Sequence, residues 1–393
     1  MSTQPANHRR PVMRSGEAVM PLELFFDLVF VLAITQVTAL MAGEPTWTGV
    51  IKGMFVLAVM WWAWTGYTWL TSVVDPEEGL VRLALAVAIA GLMICALCIP
   101  DVFNTNGVLF VVAYTIVRLM QLALFINASI DEPALRKSIL GLAAATVVAS
   151  GLLFASTQLD GHPQAALWAI ALTVDFAGGL IGDPSGWKLS PGHFSERHGL
   201  IVIIALGESI VAVGAGAAGV ELTTAVVTAA VLGTFLAFAM WWLYFDVVSH
   251  AVARHLTNAE VGRPQNTLAR DTYSYLHLPL IAGIVLVALG LKKTIAHVDE
   301  PLDLVPAAAL LGGFALYLCG FLGIRYRNIG GFSKQRVVAA LLVLAAIPLG
   351  TRLEALVTLA LVTTVACGLV AYEYFMPGDV RARVRGVAEA EAS

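Results

Sequence analysis

The chain has 393 residues, 59% hydrophobic and 13% charged, with a mean hydropathy of +0.82, whereas roughly a quarter of the residues in a soluble domain carry charge. That composition excludes a soluble globular protein and defines a polytopic membrane protein. The formal net charge of −4 is spread along the chain, so no basic block points to nucleic acid.

From the N-terminus, the first 20 residues are polar and lack the short apolar core and small-residue cleavage site of a removable signal peptide. About 20 apolar residues cross a bilayer as a helix. On that template twelve spans are predicted: 21 to 43, 47 to 73, 79 to 99, 107 to 129, 138 to 158, 162 to 183, 198 to 218, 222 to 249, 271 to 291, 303 to 324, 335 to 351 and 353 to 376. The expected fold is therefore an all-α membrane bundle. Its parts are a cytoplasmic tail (1–20), a first six-helix half (21–183), a cytoplasmic linker (184–197), a second half (198–376) and a disordered cytoplasmic tail (377–393). Cys95, Cys98, Cys319 and Cys367 all lie in apolar runs and read as small buried hydrophobes.

Positive loops stay cytoplasmic. With the N-terminus inside, only Lys52, Lys292, Lys293 and Arg352 among the 23 Lys and Arg fall outside, and Arg118 falls within the membrane. Both termini are expected to be cytoplasmic. The Met-Trp-Trp of residues 60–62 recurs at 240–242, each in the second helix of a six-helix set. A 6+6 duplication with both halves facing the same way is the expectation.

A charge at mid-helix costs at least ~2.5 kcal/mol. At ~1.5 Å rise per residue, Asp27, His277, Asp175, Glu208 and Arg118 lie deep in predicted spans, while Glu23, Arg82, Asp246 and Asp271 sit nearer the inner interface. Three deep carboxylates facing one permanent guanidinium suggest a site that exchanges a proton or holds a cation. Glu23 also reads as a first-turn acid complementing its helix end, and an Asp27 ion pair to Arg82 or Arg118 reads as structural. Gly207 and Ser209 beside Glu208 argue for close backbone approach. His193, Glu196, His198, His250 and His255 lack the spacing of a strong zinc motif, so no metal is assigned. Trp61, Trp62, Trp64, Tyr67 and Trp69 read as an interfacial belt or, alternatively, as an aromatic lining that attracts cations. No cofactor motif stands out.

Residues 23–37 ("ELFFDLVFVLAITQV"), 193–214 ("HFSERHGLIVIIALGESIVAVG") and 269–290 ("ARDTYSYLHLPLIAGIVLVALG") closely resemble the signature segments of the bacterial low temperature requirement protein A (LtrA) family. The resemblance implies a multi-pass inner-membrane protein with Glu23, Asp27, Glu196, Arg197, Glu208, Asp271 and His277 as motif residues, and assigns no reaction. Residues 25–35 are also similar to the first-helix Phe-Ser-Asp motif of lysosomal-type potassium channels, with Phe26 in place of the Ser and "LGES" in place of a second copy.

The expected function is movement of a small ion or solute. Asp27, Arg118, Asp175 and Glu208 would form a midplane centre, with His277 as a proton relay and Glu23, Arg82, Ser209, Asp246 and Asp271 in support. The expected partners are the lipid bilayer and a small cation or proton, with no nucleic acid and the oligomeric state open. The competing readings are a membrane-embedded enzyme acting on a lipid or isoprenoid, and a sensor or scaffold.

Overall fold

The computed structural model describes residues 14, 16–77, 79–181 and 184–375. Their regular structure is helical: α1 (Pro21–Gly43), α2 (Trp47–Thr71), α3 (Gly79–Cys98), α4 (Gly107–Ala128), α5 (Pro133–Ser156), α6 (Gly161–Ile181), α7 (Pro191–Ala217), α8 (Thr224–Leu243), α9 (Ser249–Asn258), α10 (Arg263–Ala269), α11 (His277–Ala296), α12 (Leu304–Ile329), α13 (Lys334–Ala345), α14 (Ile347–Gly350) and α15 (Ala355–Tyr374). A π-helical stretch, Tyr244–Val248, joins α8 to α9, and another, Arg270–Tyr275, joins α10 to α11. Eleven of the resulting helices are long and apolar enough to cross a membrane, the architecture expected of a polytopic bundle. Most of the tail at 1–20, all of the tail at 377–393 and the last two residues of the span predicted at 162–183 lie outside the described residues.

Local chemistry sets the helix ends. Pro21, Pro133 and Pro191 each occupy a first helical position, where the missing N–H costs nothing. The Thr223 hydroxyl accepts from the Val226 N–H at 3.3 Å and caps α8. At the end of α12, Gly330 takes φ +76°, a left-handed conformation that glycine adopts without a side-chain penalty.

The chain forms two compact units. One holds the described residues up to Val37 with Phe55–Arg197 and Ala259–Thr267; the other holds Thr38–Met54, His198–Asn258 and the residues from Leu268 onward. In the first unit, α3 packs along α4 and α5 along α6. The linker predicted at 184–197 is helical from Pro191 onward. Its remaining turn is held by the Asn266 side-chain amide, which donates to the Pro184 and Trp187 carbonyls at 2.8 and 2.7 Å.

In the second unit, α11 and α12 approach backbone to backbone. A Cβ at Gly283 would fall 2.6 Å from the Gly313 carbonyl oxygen, and one at Gly313 would fall 2.8 Å from the Val287 nitrogen. Small residues allow this contact, which dispersion stabilises where no hydrophobic drive separates protein from lipid.

The span predicted at 335–351 is not one helix. It breaks at Ala346, where α13 ends and α14 starts with Pro348 inside its first turn, because proline cannot donate the N–H that would continue α13. The pair nevertheless traverses the unit. At its start, Arg336 pairs with Glu373 near the end of α15 at 2.8 Å and donates to the Leu243 carbonyl at the end of α8. At its end, Gly350 lies against Ala307 and Leu311 in the first turns of α12 and against Thr358 of α15. The Ala355 N–H donates to the Glu300 carbonyl at 2.8 Å, which places the start of α15 beside the loop between α11 and α12. The α13–α14 pair is thus a short, broken traversal of this unit.

Candidate functional site

Helix α7 begins at Pro191, not at 198 as the hydropathy suggested. The earlier start puts His193 and Arg197 one turn apart on a helical face. Glu23 and Asp27 stand one turn apart on α1. The two pairs interlock. The Arg197 guanidinium reaches Glu23 Oε1 at 2.9 Å and Asp27 Oδ1 at 2.6 Å, while His193 Nε2 lies 2.8 Å from Glu23 Oε1. Matching order along both helices means that the first turns of α1 and α7 run side by side in the same direction.

Helix α2 closes the cluster. The Trp64 indole N–H donates to Asp27 Oδ1 at 2.8 Å, Ser72 Oγ contacts His193 Nδ1 at 3.1 Å, and Arg197 donates to Thr71 Oγ1 at 3.4 Å. The Arg197 guanidinium carbon lies 5.7 Å from the centre of the Trp64 ring, within reach of a cation–π attraction. Glu23 is fully buried and Asp27 is 1% exposed. Asp27 Oδ1 takes both donors, whereas Asp27 Oδ2 is buried and accepts from no described group. An unsatisfied buried acceptor costs about 1–3 kcal/mol.

Glu23 performs the helix-end role expected of it and more. Its Oε2 accepts from the Met20 N–H at 2.9 Å, reaching back from the third helical position as in a capping box. The same oxygen meets the Arg14 guanidinium at 3.3 Å. With Arg14 and Arg197 present, two carboxylates face two guanidinium groups.

Arg118 and Asp175 form a separate cluster between α4, α5 and α6. Arg118 donates to Asp175 Oδ1 at 3.2 Å, to Thr146 Oγ1 at 2.9 Å and to Gln121 Oε1 at 2.8 Å. The Thr146 hydroxyl donates to Asp175 Oδ1 at 3.0 Å, and the Tyr114 hydroxyl to Asp175 Oδ2 at 3.4 Å. Both Asp175 oxygens are satisfied, whereas one oxygen of Asp27 is open. Helix α2 touches this cluster through the Trp62 carbonyl, which accepts from Arg118 at 3.4 Å.

The expected centre thus has its members on different partners. Asp27 pairs with Arg197, neither with Arg82, which is exposed at the start of α3, nor with Arg118. Glu208 and Ser209 lie in the other compact unit, 5% and 0% exposed. Asp246 lies there too, half-buried in the Tyr244–Val248 stretch. Asp271 pairs with Arg270 at 2.7 Å and Arg327 at 2.9 Å.

His277 is tied to the π-helical turn before it. Its Nδ1 lies 2.9 Å from the Thr272 carbonyl, which only accepts, so Nδ1 carries the hydrogen. Its Nε2 then accepts from the Tyr244 hydroxyl at 3.0 Å, and its ring stacks on Tyr273 at 4.9 Å. The widened turn, marked by the Leu276 N–H donating to the Asp271 carbonyl at 3.1 Å, is a feature frequent at functional sites.

Sequence reasoning missed Arg197, His193 and Trp64 as partners of α1. The signal for the first two was Ser190-Pro191, a helix start, followed by His and Arg at the same spacing as Glu23 and Asp27. For Trp64, hydropathy does not distinguish an interfacial belt from a buried face. Trp61, Trp62, Trp64 and Tyr67 are 3%, 6%, 0% and 0% exposed, so they pack inside protein and are not a lipid-facing belt.

An all-helical polytopic membrane protein with buried carboxylate–guanidinium clusters is the class that fold and site define. The chain belongs to the bacterial low temperature requirement A protein (LtrA) family, whose model matches residues 18–371. Over 311 residues it is 30% identical to the protein named "Uncharacterized protein RA0937" of Rhizobium meliloti (strain 1021), covering 76% of this chain and 75% of that protein. No solved structure matches the chain.

Proposed function

We propose that the protein moves a small ion or solute across the bacterial inner membrane, both termini inside, and that the Glu23–Asp27–His193–Arg197 cluster is the polar element the permeant meets. One observation carries this reading: Asp27 Oδ2, on a side chain 1% exposed, has no partner among the described residues. A purely structural ion pair satisfies both carboxylate oxygens, as Asp175 does. An acceptor left open in a low-dielectric interior is a place for a proton, a cation or a polar permeant group. Arg118–Asp175 then serves as the fixed brace of α4, α5 and α6.

The parallel entry of α1 and of the first turns of α7, the first helices of the two predicted halves, is what a 6+6 duplication with both halves facing the same way requires. The repeated Met-Trp-Trp does not add to it, since Trp61 and Trp62 are buried whereas Trp241 is 40% exposed.

The test is flux. Purified protein in liposomes is expected to pass at least one member of a panel of protons, alkali cations and small solutes above empty vesicles, and Asp27→Asn is expected to suppress it. No flux across the panel, or an unchanged rate in a folded Asp27→Asn variant, overturns the proposal.

A further inference from the structure

The positive charge on Glu23 Oε2 does not come from a transmembrane helix. Arg14 lies outside any helix, and residues 16–20 form a non-helical strap ahead of α1. Its side chain is 2% exposed. The guanidinium donates to the Thr71 carbonyl at 2.9 Å, to the Gly16 carbonyl at 3.2 Å and to the Ala18 carbonyl, and the Arg14 N–H donates to the Val73 carbonyl at 3.1 Å. Farther along, the Val19 N–H donates to Glu196 Oε2 at 3.2 Å. The strap thus lies across the ends of α1, α2 and α7 and lowers one guanidinium into the cluster.

Removing that guanidinium changes the balance by one unit. Glu23 and Asp27 would then face Arg197 alone, with His193 held between Ser72 and Glu23. One surplus negative charge would remain in a buried setting, where an uncompensated charge is strongly unfavourable. The atoms that lose a donor, Glu23 Oε2, which keeps the Met20 N–H, and the Thr71 carbonyl, are hard oxygen ligands, and Asp27 Oδ2 in the same cluster has no partner among the described residues. Carboxylate and carbonyl oxygens suit hard cations, and a surplus of one suits a monovalent ion.

We propose that the Glu23 site is a monovalent-cation site whose occupant here is the chain's own Arg14, and that an alkali cation takes this position when the strap withdraws. Arg14 is then a tethered competitor that keeps the site closed to cations. This rests on the cluster being the polar element that the permeant meets, and it names the permeant's class and a means of regulation.

The experiment uses the full chain in detergent, titrated with sodium, potassium or guanidinium chloride against choline chloride at constant ionic strength, with thermal unfolding as readout. A site open in a tenth or less of the molecules binds at least about tenfold more weakly than an open one. The Arg14→Gln variant is therefore expected to be stabilised saturably by small monovalent cations at concentrations about tenfold or more below any that affect the unmodified protein. Glu23→Gln placed on top should abolish the response. If Arg14→Gln cannot be purified, Arg14→Lys keeps the charge but loses the guanidinium's fixed fork, and an intermediate response is expected. Indifference of the purified variant to every cation relative to choline, or a response that survives Glu23→Gln, overturns the proposal. Liposome flux separates it from the broader reading. Flux without the cation response sinks only the tethered-competitor idea, and the cation response without flux sinks only transport.

Discussion

Arg197 is the residue on which the α1–α7 contact depends, and its removal is the sharpest test of the cluster. In Arg197→Ala, Glu23 and Asp27 stay buried, one turn apart on one helix, with two charge-assisted contacts of 2.9 and 2.6 Å lost. Breaking a buried pair by deleting one partner costs about 3–5 kcal/mol, because the other charge is stranded. Asp27 suffers most: it retains only the Trp64 indole donor, whereas Glu23 keeps Arg14, His193 and the Met20 N–H. Neutralising the stranded group should therefore recover part of the loss, and Asp27→Asn in the Arg197→Ala background is expected to regain about 1–3 kcal/mol, the usual coupling between contacting residues. The assay is a double-mutant cycle by denaturant unfolding in mixed micelles. A cost below about 1 kcal/mol for Arg197→Ala, or strict additivity with Asp27→Asn, would refute the reasoning.

Other variants probe the remaining features. Arg118→Leu is expected to destabilise by about 3–5 kcal/mol and Thr146→Val by about 1 kcal/mol, both read by the same unfolding assay; equal effects would contradict the central place of Arg118. Tyr244→Phe removes one hydrogen bond to His277 and should cost about 0.5–1.5 kcal/mol, less than His277→Phe, which also leaves the Thr272 carbonyl without its side-chain donor. Gly313→Val should destabilise by at least about 1–3 kcal/mol, because the α12 backbone touches α11 there, whereas Gly312→Ala, with open space where its Cβ would lie, should be near neutral. Single cysteines at Gly331 and Glu300 should label from opposite faces of the membrane and one at Arg352 from the same face as Glu300; labelling of Arg352 from the same face as Gly331 would rule out α13–α14 as a crossing.

The helices were legible because the bilayer forces backbone groups to bond within the segment, so apolar length alone finds them. What apolar length cannot find is a helix that begins in polar sequence. His193, Glu196 and Arg197 read as loop, although Ser190-Pro191 announces a helix start, and so the partner of Asp27 was sought at Arg82 and Arg118. The break at Ala346 was likewise visible as Pro348, but hydropathy averages over it. Asp27 itself was evident from depth, since a carboxylate in "ELFFDLVF" needs partners. The identity of those partners is a tertiary fact, set by which helix lies beside α1. Spacing carried part of it: two acids four apart on one helix and a His and an Arg four apart on another are complementary, a pattern that only pairing the two segments reveals.

The short α13–α14 traversal bears on the membrane around the protein. From Lys334 to Gly350 a continuous helix would rise only ~25 Å, against a hydrocarbon layer of ~30 Å, and Val338, Leu341, Leu342, Leu344 and Leu349 are exposed along it. Such mismatch is met by thinning of the adjacent leaflets, at a fraction of a kcal/mol per Å. Lipids with longer acyl chains therefore load this segment before the longer helices, and the bilayer's thickness bears directly on the α13–α14 break.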